Sequence, residues 1–175
     1  MSLKLILITL LMLGNMMLYN FTSKSNTKDW YILDDAVMGG RSSGNFKIND
    51  DGHGLFFGII SLKNNGGFSS VRYQFKTKDV KAYSKIKLRI KGDGKNYQFR
   101  LKTNSRDYAA YVYEFETTSN WMTIEIPFSE LYPTFRGRRL QQPNFEGEYI
   151  SEISLLIGNK KEQSFELLID KIELE

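Results

Sequence analysis

Apolar and polar residues trade places at every second position through most of this chain, a period that turns successive side chains to opposite faces of an extended backbone. Ile86, Leu88 and Ile90 alternate with Lys85, Lys87, Arg89 and Lys91, and Tyr97, Phe99 and Leu101 alternate with Gln98, Arg100 and Lys102. Between the two runs, Gly92-Asp93-Gly94-Lys95 has the chemistry of a tight turn, so the stretch predicts an antiparallel hairpin with its basic side chains on one face. The same period recurs in Val71-Tyr73-Phe75, Tyr111-Tyr113-Phe115, Met122-Ile124-Ile126, Ile153-Leu155-Ile157 and Phe165-Leu167-Ile169. Pro127 should end its strand. Ile172 and Leu174 have the opposite parity to Phe165–Ile169, which predicts a bulge near Asp170-Lys171.

No stretch beyond the N-terminus sustains a helical period; Ser129-Glu130-Leu131 is one turn at most. Eight to ten short strands with Gly, Asn and Pro punctuation imply an all-β, two-sheet antiparallel sandwich or jelly roll. Aromatics at 14% suit its core, because planar side chains pack well on pleated sheets. The expected core is Trp30, Phe57, Val71, Tyr73, Ile86, Leu88, Ile90, Phe99, Leu101, Ile124, Ile126, Leu155, Phe165 and Leu167. Residues 132–150 read as one long irregular connection, a length that in compact domains goes with function or mobility.

The first residues bear on compartment. Lys4 precedes the uncharged run Leu5–Leu13, and Gly14-Asn15 interrupt it before Met16-Met17-Leu18-Tyr19. A short basic start and an apolar run of this size predict a secretory signal, with an uncleaved anchor and a buried N-terminal element as competitors because no A-x-A-like exit follows. The chain divides accordingly into a signal peptide or membrane anchor over 1–21, a polar linker over 22–28 and a single jelly-roll domain over 29–175. The expected location is outside the cytoplasm, periplasmic or at the cell surface, or membrane-anchored through residues 3–19, with no other membrane contact.

Composition excludes several chemistries. With no cysteine there is no disulfide, thiolate nucleophile or cysteine metal site, and one histidine, His53, excludes a multi-histidine site. A net charge of +4 permits anionic partners without requiring them, and no RNP-like word, helix-turn-helix pattern or zinc-finger spacing points to nucleic acid.

Two glycine pairs stand beside acidic or amide residues: Asp34-Asp35-Ala36-Val37-Met38-Gly39-Gly40-Arg41-Ser42-Ser43-Gly44 and Asn64-Asn65-Gly66-Gly67-Phe68-Ser69-Ser70-Val71-Arg72. Further along come Gly92-Asp93-Gly94-Lys95-Asn96-Tyr97, Trp121 with Ile126-Pro127-Phe128, Pro133-Thr134-Phe135-Arg136-Gly137-Arg138 and Ile157-Gly158. Over about residues 30–174 this set resembles the complex I intermediate-associated protein 30 family. One departure is Ser164, where the family pattern leads one to expect glycine. The resemblance implies a galactose-binding-like jelly roll. It also implies a protein partner, since mitochondrial members assist assembly of respiratory complex I, and it supplies no catalytic residue set, metal or cofactor.

Each candidate site has a binding reading and a structural one. Asp34 and Asp35, with Arg41, could present ligands for a cation or sugar hydroxyls, or could cap the amides of the glycine turn. Asn64, Asn65 and Phe68 could contact a carbohydrate, or form an Asn-Gly hairpin turn. The basic face of Lys85, Lys87, Arg89, Lys91, Arg100 and Lys102 could meet an anionic partner, or be paired by Glu114, Glu116 and Glu125. Phe135, Arg136, Arg138 and Arg139 could grip carboxylate or phosphate bidentately, or clamp the loop. Ser42, Ser69, Ser70 and His53 are the residues a Ser-His-Asp mechanism would have to use, but no G-x-S-x-G elbow supports it. The resulting expectation is a non-catalytic binding or assembly module. Its loops Asp34–Arg41, Asn64–Phe68 and Arg136–Arg139 would meet at one end of the sandwich to engage a protein partner; the alternative is a carbohydrate-binding module of the cell envelope.

Overall fold

Thirteen strands form two antiparallel sheets in the computed structural model, which describes residues 14–175. In chain order they are β1 Met16–Asn20, β2 Trp30–Asp34, β3 Ser43–Ile48, β4 Gly54–Ile60, β5 Ser69–Asp79, β6 Lys85–Lys91, β7 Asn96–Lys102, β8 Ala110–Glu116, β9 Met122–Pro127, β10 Tyr132–Phe135, β11 Arg138–Arg139, β12 Tyr149–Ile157 and β13 Gln163–Leu174. One sheet has six strands, β3-β4-β13-β6-β9 with β1 added against β13; the other has seven, β11-β10-β8-β7-β12-β5-β2. Among the described residues no helix is long and apolar enough to cross a membrane.

The alternating runs become strands because one parity of each is buried between the sheets. Ile86, Leu88 and Ile90 meet Phe99, Leu101, Leu155 and Leu167, all at 1% exposure or less. The parity of β4 differs from expectation: Phe56 is buried in the core, while Phe57 turns outward under Lys47. Tyr73 and Ile124 pack on the core from partly buried positions. The bulge near Asp170 is present as a register shift between Ile169 and Lys171, and β9 ends at Pro127.

Three expectations of local structure are corrected. First, β6 and β7 are not a hairpin: β6 pairs with β13 and β9, whereas β7 pairs with β8 and β12 in the other sheet. The Gly92–Lys95 turn crosses between layers, and Asp93 holds it by accepting from the Tyr97 hydroxyl at 3.1 Å and the Glu166 amide at 2.9 Å. Second, the connection after residue 132 contains an ordered hairpin, β10–β11, paired on β8 at the edge of the seven-stranded sheet. Third, of the acids expected to pair the basic face only Glu125 does so, and Glu175 and Asp170 supply the rest. Lys85 meets Glu125 and Glu175 (each 3.0 Å), Lys87 meets Glu175 (2.9 Å) and Arg89 meets Asp170 (3.2 Å). Glu114 and Glu116 lie across from β7, together with Arg100 and Lys102, in the other sheet.

The domain also begins earlier than residue 29. β1 pairs Met16–Asn20 with Lys171–Leu174, beyond the bulge where β4 stops pairing with β13. Leu18 and Phe21 are buried, and Phe21 and Tyr19 close an aromatic cluster around Trp30, which stacks on Tyr73 at 5.0 Å. Residues 22–28 are no free linker either, since Thr22–Ser25 forms a turn and Asn26 caps a short 3-10 turn over Thr27–Asp29. The apolar run through Leu13, on which the signal or anchor reading rests, lies outside the described residues.

A chain beginning at residue 22 should therefore be less stable than one beginning at residue 14. Losing the burial that Leu18 and Phe21 contribute removes roughly 4 kcal/mol, which for a domain of this length lowers Tm by roughly 10 °C. Thermal unfolding followed by far-UV circular dichroism checks this, and equal midpoints would mean that β1 contributes nothing to the fold.

Candidate functional site

The two glycine words fold into one knot. Residues 35–42 carry the chain from β2 to β3 and residues 61–68 carry it from β4 to β5, so both are crossovers between the sheets. The Asp35 carboxylate, 1% exposed, ties them together. It accepts from the Ser42 amide (3.0 Å), the Ser42 hydroxyl and the amides of Gly67 and Phe68 (3.2 Å for the latter). A β-carbon at Gly40 or Gly66 would overlap that carboxylate, so glycine is required at both positions. Burial alone would raise the Asp35 carboxyl, but the Ser42 hydroxyl and the Gly67, Ser42 and Phe68 amides outweigh it and hold it below the usual range.

The neighbouring candidates serve the same knot. Asp34 accepts from the Gly44 amide at 2.9 Å. Asn64 donates to the Gly39 carbonyl at 3.0 Å, while Asn64 and Asn65 take positive φ (57° and 58°) in a turn that joins two sheets and closes no hairpin. Arg41 is exposed and Phe68 half-buried. Ser42 is spent on Asp35. His53 packs against Trp121, its ring tilted at 46°, at the opposite end of the β3–β4 hairpin, a strand length of roughly 17 Å from Ser42, so the two cannot exchange a proton. Among the described residues no group of three or more acidic or imidazole side chains is placed to hold a metal ion.

The arginine loop does not join this knot. Asp34 pairs with Ser69, and Ser69 with Ile157, at one end of the seven-stranded sheet. The β10–β11 hairpin extends past Thr134↔Ala110, towards the level of Lys102 and Glu152 at the other end, and on the opposite edge. The expected gathering of three loops thus fails, because β2 and β11 are the outermost strands of the sheet. Arg136 (φ 49°) and Gly137 (φ 74°) make the two-residue turn. Arg136 lies over Phe135 at 5.3 Å, Phe135 meets Tyr108 edge-on at 5.2 Å, and Arg139 lies over Tyr132 at 4.7 Å. Arg138 is exposed.

What the loops do not form, the outer face of the seven-stranded sheet does. Tyr31, Arg72, Ser154, Arg100, Val112 and Tyr132 stand in register on β2, β5, β12, β7, β8 and β10, a transverse row spanning roughly 24 Å. Beside it Glu152, 2% exposed, takes Gln74 at 2.7 Å, the Tyr31 hydroxyl at 3.3 Å and Arg72 at 3.5 Å. Arg100 donates to Gln98 Oε1 at 3.0 Å and Thr134 Oγ1 at 3.3 Å, and Gln98 donates to Glu114 at 3.0 Å. Burial, with Arg72 alongside, lowers the Arg100 guanidinium to about 10, so it stays charged at neutral pH. Burial and Glu152 raise the Tyr31 phenol, while burial and Glu114 raise that of Tyr132. Both hydroxyls are therefore neutral donors. Sequence reading did not assemble this face, because parity places Arg72, Arg100 and Glu152 outward without saying which strands adjoin. A lone Glu152 inside the run Ile150–Ile157 was the available signal.

The sequence profile of the complex I intermediate-associated protein 30 family matches residues 19–169. An uncharacterized protein of Schizosaccharomyces pombe is 29% identical over 168 residues, covering 83% of this chain and 77% of the relative. The mitochondrial complex I intermediate-associated protein 30 of Drosophila melanogaster is 24% identical (90% of this chain, 62% of the relative), and that of Mus musculus 25% (88% and 54%). The chain thus spans little more than half the length of the animal relatives. Among solved structures, a family 11 carbohydrate-binding module of a Clostridium thermocellum cellulosomal cellulase superposes with a TM-score of 0.70 at 21% identity, covering 92% of this chain and 94% of that one. An agarase superposes with a TM-score of 0.61 at 12% identity, over 93% of this chain and 24% of that one. At such identities these likenesses establish the sandwich fold alone.

Asp35→Ala should strand four donors in the knot and lower stability by on the order of 4 kcal/mol, with Asp35→Asn intermediate. Because the folded carboxyl lies below its unfolded value of about 4, its stabilisation is complete above that pH and is lost as pH falls through the folded value. Urea unfolding at stepped pH should show this acid limb in the wild type and a flatter one in Asp35→Asn; identical limbs would remove Asp35 from the account.

Proposed function

Since the chain belongs to the complex I intermediate-associated protein 30 family, we propose that this domain is a non-catalytic recognition module of the assembly-factor kind, and that a protein partner docks on the outer face of its seven-stranded sheet. One observation carries this reading: the in-register row from Tyr31 to Tyr132, whose charged groups are half-buried and fixed by hydrogen bonds before any partner arrives. Side chains ordered in advance lose little conformational freedom on binding, so more of each contact is realised as affinity. Charged rows on rigid strands also set register and orientation between proteins. The glycine knot is the scaffold of this module and not its contact surface.

An extended carbohydrate lying along the same row is the second reading. It is favoured by the tyrosines at the two ends and the amide and guanidinium donors between them, groups suited to sugar faces and hydroxyls. The location we propose is outside the cytoplasm, by cleavage ahead of Met16 or by tethering through the preceding apolar residues. Mass spectrometry of the native N-terminus checks it: a start at or before Met16 in an envelope fraction is expected, and an intact Met1 in a soluble cytosolic fraction would refute it.

Affinity capture from the envelope fraction, run beside a glycan array, tests the binding reading. The wild type should retain a defined protein, Arg72→Ala should weaken retention about tenfold, and Lys81→Ala, remote from the row, should not. Saturable glycan binding that Arg72→Ala abolishes, with no protein retained, would put the carbohydrate reading first.

A further inference from the structure

Several basic side chains that lie on the sheets of this sandwich have an opposite charge beside them. Lys85, Lys87 and Arg89 are paired on the six-stranded sheet, and Arg72 is paired with Glu152 on the other. Arg100 is different. It sits at the centre of the seven-stranded sheet, sunk among its neighbours, and its protein partners are neutral: Gln98 Oε1 and Thr134 Oγ1. Two of its five N–H donors are thereby used. Among the described residues no carboxylate stands within ion-pair distance of it, and Arg72 lies on the same row one strand beyond Ser154. Glu152 acts on it only from a distance, and a guanidinium withdrawn from water without a directly paired counter-charge is unfavourable, so a site of that kind gains from an incoming anion.

The space for one is present. A trough of about 360 Å³ opens over Arg100, walled by Gln98 and Glu114 on one side and by Tyr132, Thr134 and Arg139 on the other. Arg139 lies with its guanidinium over the Tyr132 ring at 4.7 Å. Stacking on an aromatic face occupies the flat of the guanidinium and leaves its in-plane donors free for a bidentate acceptor. With Arg100 and Arg139 against Glu114, the trough carries one net positive charge (two minus one). A carboxylate matches that charge. A phosphate dianion would overfill it beside Glu114.

We propose that this trough seats the carboxylate of an Asp or Glu side chain from an acidic segment of the protein partner, held between Arg100 and Arg139. The proposal rests on the reading of this sheet face as a protein-docking surface and adds the chemistry of what docks there. Glu114 then acts as a selector: through Gln98 it aligns Arg100, and by its own charge it admits a single negative group at a time.

Fluorescence anisotropy with labelled hexaglutamate and hexaglutamine peptides tests it on the full chain. Hexaglutamate should bind saturably and at least tenfold more tightly than hexaglutamine. Arg139→Gln, an exposed change that leaves the core untouched, should weaken hexaglutamate about tenfold; Arg100→Lys should do the same with Tm preserved, and Glu114→Gln should tighten it. Equal binding of the two peptides, or hexaglutamate binding that Arg139→Gln leaves unchanged, overturns the proposal; should Arg100→Lys fail to fold, Arg139→Gln alone decides. Hexagalacturonate binding at least tenfold tighter than hexaglutamate would assign the carboxylate to a glycan and overturn the protein source. Failure here while Arg72→Ala still releases the retained protein removes the trough but keeps the docking face. Peptide binding that obeys Arg139→Gln while Arg72→Ala releases nothing does the reverse.

Discussion

A single buried carboxylate organises this sandwich. Asp35 accepts four hydrogen bonds from both passages by which the chain changes sheets near β2, β3, β4 and β5. A carboxylate withdrawn from water is unfavourable unless its lone pairs are filled, and once they are filled it holds each donor strongly. The surrounding glycines follow from that bond set, because Gly40 and Gly66 give up the space the carboxylate occupies. With the crossovers fixed, β2 enters the seven-stranded sheet beside β5 and β3 enters the six-stranded sheet beside β4. Tyr31 and Arg72, the first two members of the transverse row, are positioned by that pairing.

The two outer faces obey different electrostatics. On the six-stranded sheet, cations of β6 meet anions of β9, β13 and the C-terminal Glu175 in solvent, where each pair adds little and salt screens it. On the seven-stranded sheet, Glu152 and Arg100 are withdrawn from water and their hydrogen bonds are correspondingly strong. The first arrangement removes repulsion between like charges on neighbouring strands. The second orders polar groups ahead of any contact, which is why the proposed docking face is set there and not on the face with more charge.

Family membership and fold constrain this protein unequally. The family match spans residues 19–169 and places the chain among proteins that include mitochondrial complex I intermediate-associated proteins, while the sandwich also supports modules of carbohydrate-active enzymes. A scaffold of this kind leaves the chemistry of recognition to side chains that its packing does not dictate. On the proposed reading, those are the half-buried arginines, amides and carboxylates of one sheet face.

Much of the fold was legible in the sequence because period-two burial is a local property. The strands, the bulge at Asp170, the stop at Pro127 and the turns at the glycine words follow from residues a few positions apart. Pairing is not local. Gly92–Lys95 has the chemistry of a hairpin turn, yet Ile86–Ile90 and Tyr97–Leu101 each bury a full face only when they sit in opposite layers, so the turn became a crossover. β1 was only one of three readings of the N-terminal segment, a buried element beside a signal or an anchor. Its apolar residues continue an apolar run, and the vacant place beside the second half of β13 is what marks them as a strand. The sequence by itself determined the class of fold and the exclusion of cysteine and multi-histidine sites, and it offered capping by Asp34 or Asp35 as one of two readings that the structure settled for Asp35. The tertiary structure alone decided which outward side chains stand together. Alternation tells a residue which way to face, and only long-range pairing gives it a neighbour.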